Sequence, residues 1–210
     1  MKLASALSTS GHPFNKMGFD EIIPAYKPED IHGCNALVIW GGADIHPSLY
    51  NQPNTHSYVG EGLSSRDAAE WALLQEAIKQ DIPIIGVCRG GQMLCAAAGG
   101  TLYQHVNNHA WGHHTTKTDD GKVLEVSSLH HQMMNPEGTD YKLMMWSEDA
   151  LSDKYYDANG EYNKTSIEVE PEYIYFPKIK GHALQWHPEF HSANEACNIW
   201  LKERLNEFLK

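Results

Sequence analysis

The strongest constraint on this chain's fold is a short apolar run, Pro83-Ile84-Ile85-Gly86-Val87, that meets Cys88 and then a helix-forming stretch over 93–98. Such a run predicts an interior parallel strand buried on both faces. The intervening Arg89-Gly90-Gly91-Gln92 puts Cys88 on a sharp turn, with its sulfur at the end of the sheet. Gly86 and Gly90 permit the tight turn and the close strand-to-helix approach that bulky side chains would block. The helix N-terminus supplies unpaired N–H groups and a positive dipole end, which favour thiolate over thiol and can hold a developing oxyanion. A buried core thiol is the other reading of a single cysteine.

A downstream segment, Gly181-His182-Ala183-Leu184-Gln185-Trp186-His187-Pro188-Glu189-Phe190, shifts the balance. Residues 182–186 read as a strand running into a turn at Pro188, which leaves His187 at a strand end, where catalytic groups of open α/β sheets collect. Side chains two apart on an extended chain point the same way, so Glu189 can reach one imidazole nitrogen of His187 and fix its tautomer. Cys88, His187 and Glu189 thus supply a nucleophile, a base and an orienting carboxylate.

Along the chain, strands are expected over 3–7, 21–25, 36–40 and 83–87, and helices over 66–80 and 90–98. Asp67 suits the first turn of its helix, and Ala68, Trp71, Ala72, Gln75 and Ile78 recur at three and four, predicting the inward face. Later strands are expected over 123–126, 142–145, 166–169, 173–176 and 183–186, with a closing helix over 194–209. Residues 149–163, rich in Asp, Asn and Tyr, read as a polar surface loop. This alternation predicts an α/β fold, a doubly wound and mixed but mostly parallel sheet flanked by helices, in a single domain over 1–210.

Composition narrows the function. The net charge is −11, with 16 Lys and Arg against 27 Asp and Glu, which argues against a nucleic-acid partner. No apolar run approaches the roughly 20 residues that span a bilayer, so no membrane partner is expected. The four cysteines, at 34, 88, 95 and 197, follow neither a zinc pattern nor a compact disulfide framework, and a cytoplasmic location is expected. There are 13 histidines, but Asn107, Asn108 and Gly112 disfavour a helix that would align His105 with His109. No metal site and no cofactor are expected.

The Cys88 turn, the His187-Pro188-Glu189 triplet and the Gly41-Gly42-Ala43-Asp44 loop together resemble the class I glutamine amidotransferase superfamily. The run from Gly41 to Tyr50, the Arg66-Asp67 pair and Ser128-Leu129-His130-His131-Gln132 resemble its γ-glutamyl hydrolase branch, including enzymes that cut γ-glutamyl-γ-aminobutyrate. The resemblance implies a flavodoxin-like fold and cysteine-dependent hydrolysis of a γ-glutamyl amide through a thioester, on a small-molecule substrate. It implies that the Gly42 and Arg89 N–H groups form an oxyanion hole. It also implies that His130, His131 and Gln132, with Gly41 and Gln92, hold the substrate's glutamate end. The glycine pair also reads as a simple turn. Two alternatives stand beside the hydrolase: a glutaminase subunit that hands ammonia to a separate synthetase chain, and a binding module that keeps the fold without the chemistry. The segments 8–20 and 112–123 are short for the family, and both border the site in the resembling enzymes.

Overall fold

The computed structural model describes residues 1–163 and 169–208. Its centre is a nine-stranded mixed sheet. The first half comprises β1 (Lys2–Ala6), β2 (Glu21–Ala25), β3 (Ala36–Ile39) and β4 (Ile84–Val87), with β14 (Gly181–Leu184) beside β4. These five run parallel in the order β2-β1-β3-β4-β14. The sheet then continues antiparallel through β13 (Pro171–Phe176), β10 (Lys142–Ser147), β7 (His113–Thr118) and β8 (Val123–Ser127).

The parallel strands are apolar because both of their faces are covered. Leu37, Ile39 and Ile84 meet Leu73, Leu74 and Ala77 of α1 (Ser65–Lys79) and Met93 and Leu94 of α2 (Arg89–Ala97). On the opposite face, Val38, Ile85 and Val87 pack with Trp186 and with Trp200 and Leu201 of α3 (Ala196–Phe208). Each such fully buried aliphatic side chain contributes about 1.5–3 kcal/mol. The expected elements at 3–7, 21–25, 36–40, 83–87, 66–80, 90–98 and 173–176 are all present, with ends moved by one or two residues. As the short segment 8–20 suggested, only a single 3-10 turn, Phe14–Lys16, lies between β1 and β2.

Two expectations are corrected. The inward face of α1 is not Ala68, Trp71, Ala72, Gln75 and Ile78 but Asp67, Glu70, Leu73, Leu74 and Ala77. The helix is rotated so that two carboxylates face the buried guanidinium of Arg89, and a reading by apolar spacing passes over them. Residues 149–163 are not simply a surface loop. β11 (Lys154–Asp157) and β12 (Gly160–Asn163) form a hairpin that pairs with β6 (His105–Val106), anchored by the buried Tyr155, whose hydroxyl donates to Glu170 Oε1 at 2.7 Å. The segment 112–123 contains β7, whose inward residues are polar (His114, Thr116 and Thr118), so it carries no apolar alternation to read. β5 (Thr101–Tyr103) and β9 (Met133–Asn135) form a further two-stranded ladder. The expected strand at 166–169 lies, except for Val169, outside the described residues, as does Leu209 at the end of the closing helix. Among the described residues no helix is long and apolar enough to cross a membrane.

Candidate active site

In the strand order β2-β1-β3-β4 the chain reverses direction across the sheet between β1 and β3, and open α/β sheets bind ligands at the carboxyl edge of such a point. A cleft of about 620 Å³ opens there, lined by Leu7 and Ser8 after β1, Trp40 after β3, and Arg66 of α1.

Cys88 stands between β4 and α2 with φ 50° and ψ −107°, a backbone conformation that side chains rarely adopt. Such strain costs on the order of 1–3 kcal/mol and persists only where the surroundings impose it. Here they do. The Cys88 N–H donates to Leu184 O of β14 at 2.7 Å, and Gln92 N–H donates to Cys88 O at 3.0 Å as α2 begins. A Cβ on Gly86 would collide with the Gly90 backbone, and one on Gly90 with the Ile39 backbone, so strand and helix approach closely only because both are glycine.

His187 follows β14 and joins the cysteine to Glu189. Its Nδ1–H donates to Glu189 Oε1 at 2.7 Å, which leaves Nε2 without a bond to the carboxylate, and Cys88 is close enough to act on the imidazole. Burial works to lower the imidazole pKa. The hydrogen bonds and charges of Cys88 and Glu189 outweigh it and lift His187 to about 10. Phe190 stacks on the imidazole at 4.6 Å and 10°. The His187 backbone is latched in both directions by Ser127, whose Oγ accepts from His187 N and donates to His187 O at 3.1 and 3.3 Å. Asn198 of α3 donates to Pro188 O and His191 O at 3.0 and 3.1 Å, fixing the loop from behind. Gln185 Nε2 lies 4.0 Å from Cys88 Sγ.

The glycine loop after β3 closes the other side. A Cβ built on Gly41 would stand 2.7 Å from His187 Cε1 and 3.4 Å from Cys88 Cβ, so Gly41 lies against both residues. Gly42 follows with φ 147°, a conformation open to glycine. Arg66 holds this loop through Nη2, which donates to Gly41 O at 2.9 Å and Trp40 O at 3.3 Å. Arg66 is itself held by Glu70, at 3.0 Å. The other oxygen of Glu70, together with Asp67, binds Arg89. Two carboxylates on α1 therefore position both the glycine loop and the residue after the nucleophile. Arg89 turns its side chain into this network, so only its backbone N–H, in the first turn of α2, is left for a ligand.

The other expected site residues divide. Gln92 and Gln132 meet, Gln92 Nε2 donating to Gln132 O at 3.2 Å, but both are buried, and the Gln132 amide donates onward to Ser57 Oγ at 2.8 Å. His131 bonds Asp44 Oδ1 through Nε2 at 2.9 Å and stacks on Tyr58 at 4.3 Å, which joins the Gly41–Tyr50 run to the 128–132 segment. His130 turns the other way, into a buried group with His109 and Glu172, and its ring contacts lie there rather than with Cys88 or His187. Ser127, Asn198 and Gln185 were missed in the sequence, where single polar residues in strands and helices give no signal. The spacing Arg66-Asp67-x-x-Glu70 was the readable clue to the α1 network.

The fold and this site define a cysteine hydrolase on a doubly wound α/β sheet. The Peptidase C26 family matches residues 22–125. The chain is 32% identical over 150 residues to a Lactococcus lactis subsp. cremoris "glutamine amidotransferase-like protein YvdE homolog", covering 60% of this chain and 79% of that one. It is 29% identical over 204 residues to Protein NtpR of Enterococcus hirae, covering 84% and 78% of the two chains. Some relatives are longer, and the chain spans 54% and 63% of two of them. Its fold is similar to that of a Thermotoga maritima glutamine amidotransferase, with a TM-score of 0.60, 16% identity and coverage of 99% and 84%. The chain belongs to the class I glutamine amidotransferase-like superfamily and is a cysteine hydrolase-type enzyme.

Proposed function

We propose that this chain hydrolyses the amide bond of glutamine or of a γ-glutamyl amine, releasing glutamate and ammonia or the amine. The observation that carries this reading is the grouping of Cys88, at a strained turn on the carboxyl edge of the sheet, with His187, whose Nδ1 is held by Glu189 at 2.7 Å, both residues lying against Gly41.

The Cys88 sulfur attacks the γ-carbonyl carbon, and the carbonyl oxygen takes up the negative charge. The Gly42 and Arg89 N–H groups hold that oxygen, a role in which losing one donor costs about 3 kcal/mol of barrier. His187, charged through its bond to Glu189, gives its proton to the departing nitrogen as the carbon–nitrogen bond breaks, leaving a γ-glutamyl thioester. Neutral His187 then takes a proton from water, whose oxygen attacks the thioester carbon. The carbon–sulfur bond breaks, glutamate leaves, and the thiolate–imidazolium pair is restored. Gly41, Gln92, His131 and Gln132 border the place of the substrate's glutamate end. His130 supports that border from behind, through the bond between its Nδ1–H and Gln132 O at 2.9 Å.

The test is glutamate release by the purified chain from glutamine and from a panel of γ-glutamyl amines. Release from at least one compound by the chain alone, absent in Cys88→Ala, is the expected result. Inactivity on the whole panel until a synthetase chain is added would move the assignment to a glutaminase subunit. Labelling of Cys88 by a glutamine-like electrophile separates an enzyme given the wrong substrates, which labels, from a binding module, which does not.

A further inference from the structure

We propose that His109, His130 and Glu172 form a binding site for one divalent transition metal ion of the zinc type. The three residues are fully or almost fully buried, at 0%, 6% and 0% exposure, and one ligand atom from each lies within 4.8 Å of the others. They stand outside the Cys88, His187 and Glu189 line, and the proposal does not depend on the hydrolase reading.

The argument is a count of hydrogens and lone pairs. Ser128 Oγ lies 3.0 Å from both His109 O and His109 Nδ1, and with its hydrogen given to the carbonyl it accepts from Nδ1. That arrangement puts a hydrogen on His109 Nδ1. His130 Nδ1 lies 2.9 Å from Gln132 O, a pure acceptor, so His130 carries its hydrogen on Nδ1 as well. In neutral imidazoles both Nε2 atoms are then bare lone pairs. His109 Nε2 nevertheless lies 3.2 Å from Glu170 Oε2, and His130 Nε2 lies 3.9 Å from Glu172 Oε1. Lone pairs facing carboxylate oxygens in a buried interior repel, so the cluster needs positive charge, supplied either by protons on the imidazoles or by a metal ion held between His109, His130 and Glu172. His130 Nε2 and Glu172 Oε2 have no hydrogen-bond partner among the described residues, and beside them His109 Nε2 faces Glu170 Oε2 and His114 Nε2 faces Glu172 Oε1.

The donor set suits the ion. Two imidazoles and a carboxylate, each imidazole with its second nitrogen tied to an oxygen, is a recurring arrangement for zinc and related metals. Bonds of about 2.0–2.2 Å place tetrahedral donors about 3.3 Å apart, so the donors, now 3.9 Å apart for His130 and Glu172 and within 4.8 Å overall, must draw in by roughly half to one and a half ångströms as the ion binds. Glu170 is already satisfied by Leu151 N, Ser152 N and the Tyr155 hydroxyl. It stays outside the first ring of donors and supplies a second negative charge, so one divalent ion balances both carboxylates. His114 Nε2, 3.1 Å from Glu172 Oε1, holds that carboxylate from beside the site. The other cluster of this type, His191 with Glu195 and Cys197, makes a useful contrast. There Ser127 N–H fills His191 Nε2 at 3.1 Å, and His191 Nδ1–H donates to Glu195 at 2.7 Å, so no lone pair is left over.

The full chain, stripped with a chelator, reloaded with zinc and dialysed, should retain one zinc per chain by atomic emission. Cobalt in its place should give visible d–d bands without a thiolate-to-cobalt charge-transfer band in the near ultraviolet. His130→Ala and Glu172→Gln, checked for folding by circular dichroism, should each lower retained zinc at least tenfold, whereas Cys88→Ala and Cys197→Ser should retain it. No zinc above buffer would mean that protons fill the cluster, and the proposal fails. It fails equally if Glu172→Gln retains zinc or if either cysteine variant loses it. Should the ligand variants not fold, the cobalt spectrum of the unaltered chain decides, and a thiolate band overturns the assignment.

Discussion

Arg66 donates to the carbonyl oxygen of Gly41 at 2.9 Å, so the glycine loop is tied to α1 through a side chain rather than through sheet pairing. Gly41 in turn lies against His187 and Cys88, which makes α1 a support for one wall of the site.

Arg66→Ala should therefore lower kcat by about 10–100-fold, the range expected from a small misplacement of reacting groups. KM should change less, and alkylation of Cys88 by iodoacetamide should proceed at the unaltered rate, because Arg66 does not touch the sulfur. Slower alkylation in parallel with the loss of kcat would show that the whole elbow had shifted, and would sink the specific role in the glycine loop.

Glu70 is fully buried between Arg66 and Arg89. Removing one partner of a buried ion pair leaves an uncompensated charge, and Glu70→Ala should lose about 3–5 kcal/mol of stability. Urea unfolding measures this directly. A loss below about 1 kcal/mol would mean that Asp67 alone suffices for Arg89.

The raised pKa of His187 has a sign that equilibrium unfolding can read. Its folded value, about 10, stands above the ordinary 6.5, so its contribution to stability is complete below about 6.5 and disappears as pH rises through about 10. Glu189→Gln removes part of that elevation. The stability gap between the unaltered chain and this variant should be widest near pH 6 and narrow towards pH 10. A gap constant across that window contradicts the coupling.

The same variant also tests the order of importance along the line. Cys88→Ala should abolish turnover, while Glu189→Gln should retain a measurable fraction, since the orienting member of such triads costs less to lose than the nucleophile. Equal losses would remove the distinction between a reacting and an orienting group.

How much of this could be read in advance depended on whether burial and apolarity coincided. They coincide in β3, β4 and α2, and the Cys88 junction was legible from the apolar run Pro83–Val87 followed by the glycine turn and the helix-forming 93–98. His187 and Glu189 were legible as a pair, but they meet across the 3-10 turn Pro188–Phe190 rather than along the extended segment that the reading assumed. Where polar groups are buried, reading by apolar pattern failed. α1 turns Asp67 and Glu70 inward, β7 turns His114, Thr116 and Thr118 inward, and Tyr155 hides in a segment otherwise full of surface residues. Glu170 and Glu172 meet His109 and His130 only because β13 returns beside β14, a juxtaposition with no trace in local spacing.

The dependence of the elbow on β14 has a consequence for synthesis. The Cys88 amide finds its acceptor on Leu184, nearly a hundred residues later in the chain, so no ribosome-bound fragment that stops short of that strand can hold the turn in shape. The acceptor that shapes the turn and the imidazole beside the sulfur thus arrive together, on and just after one late strand.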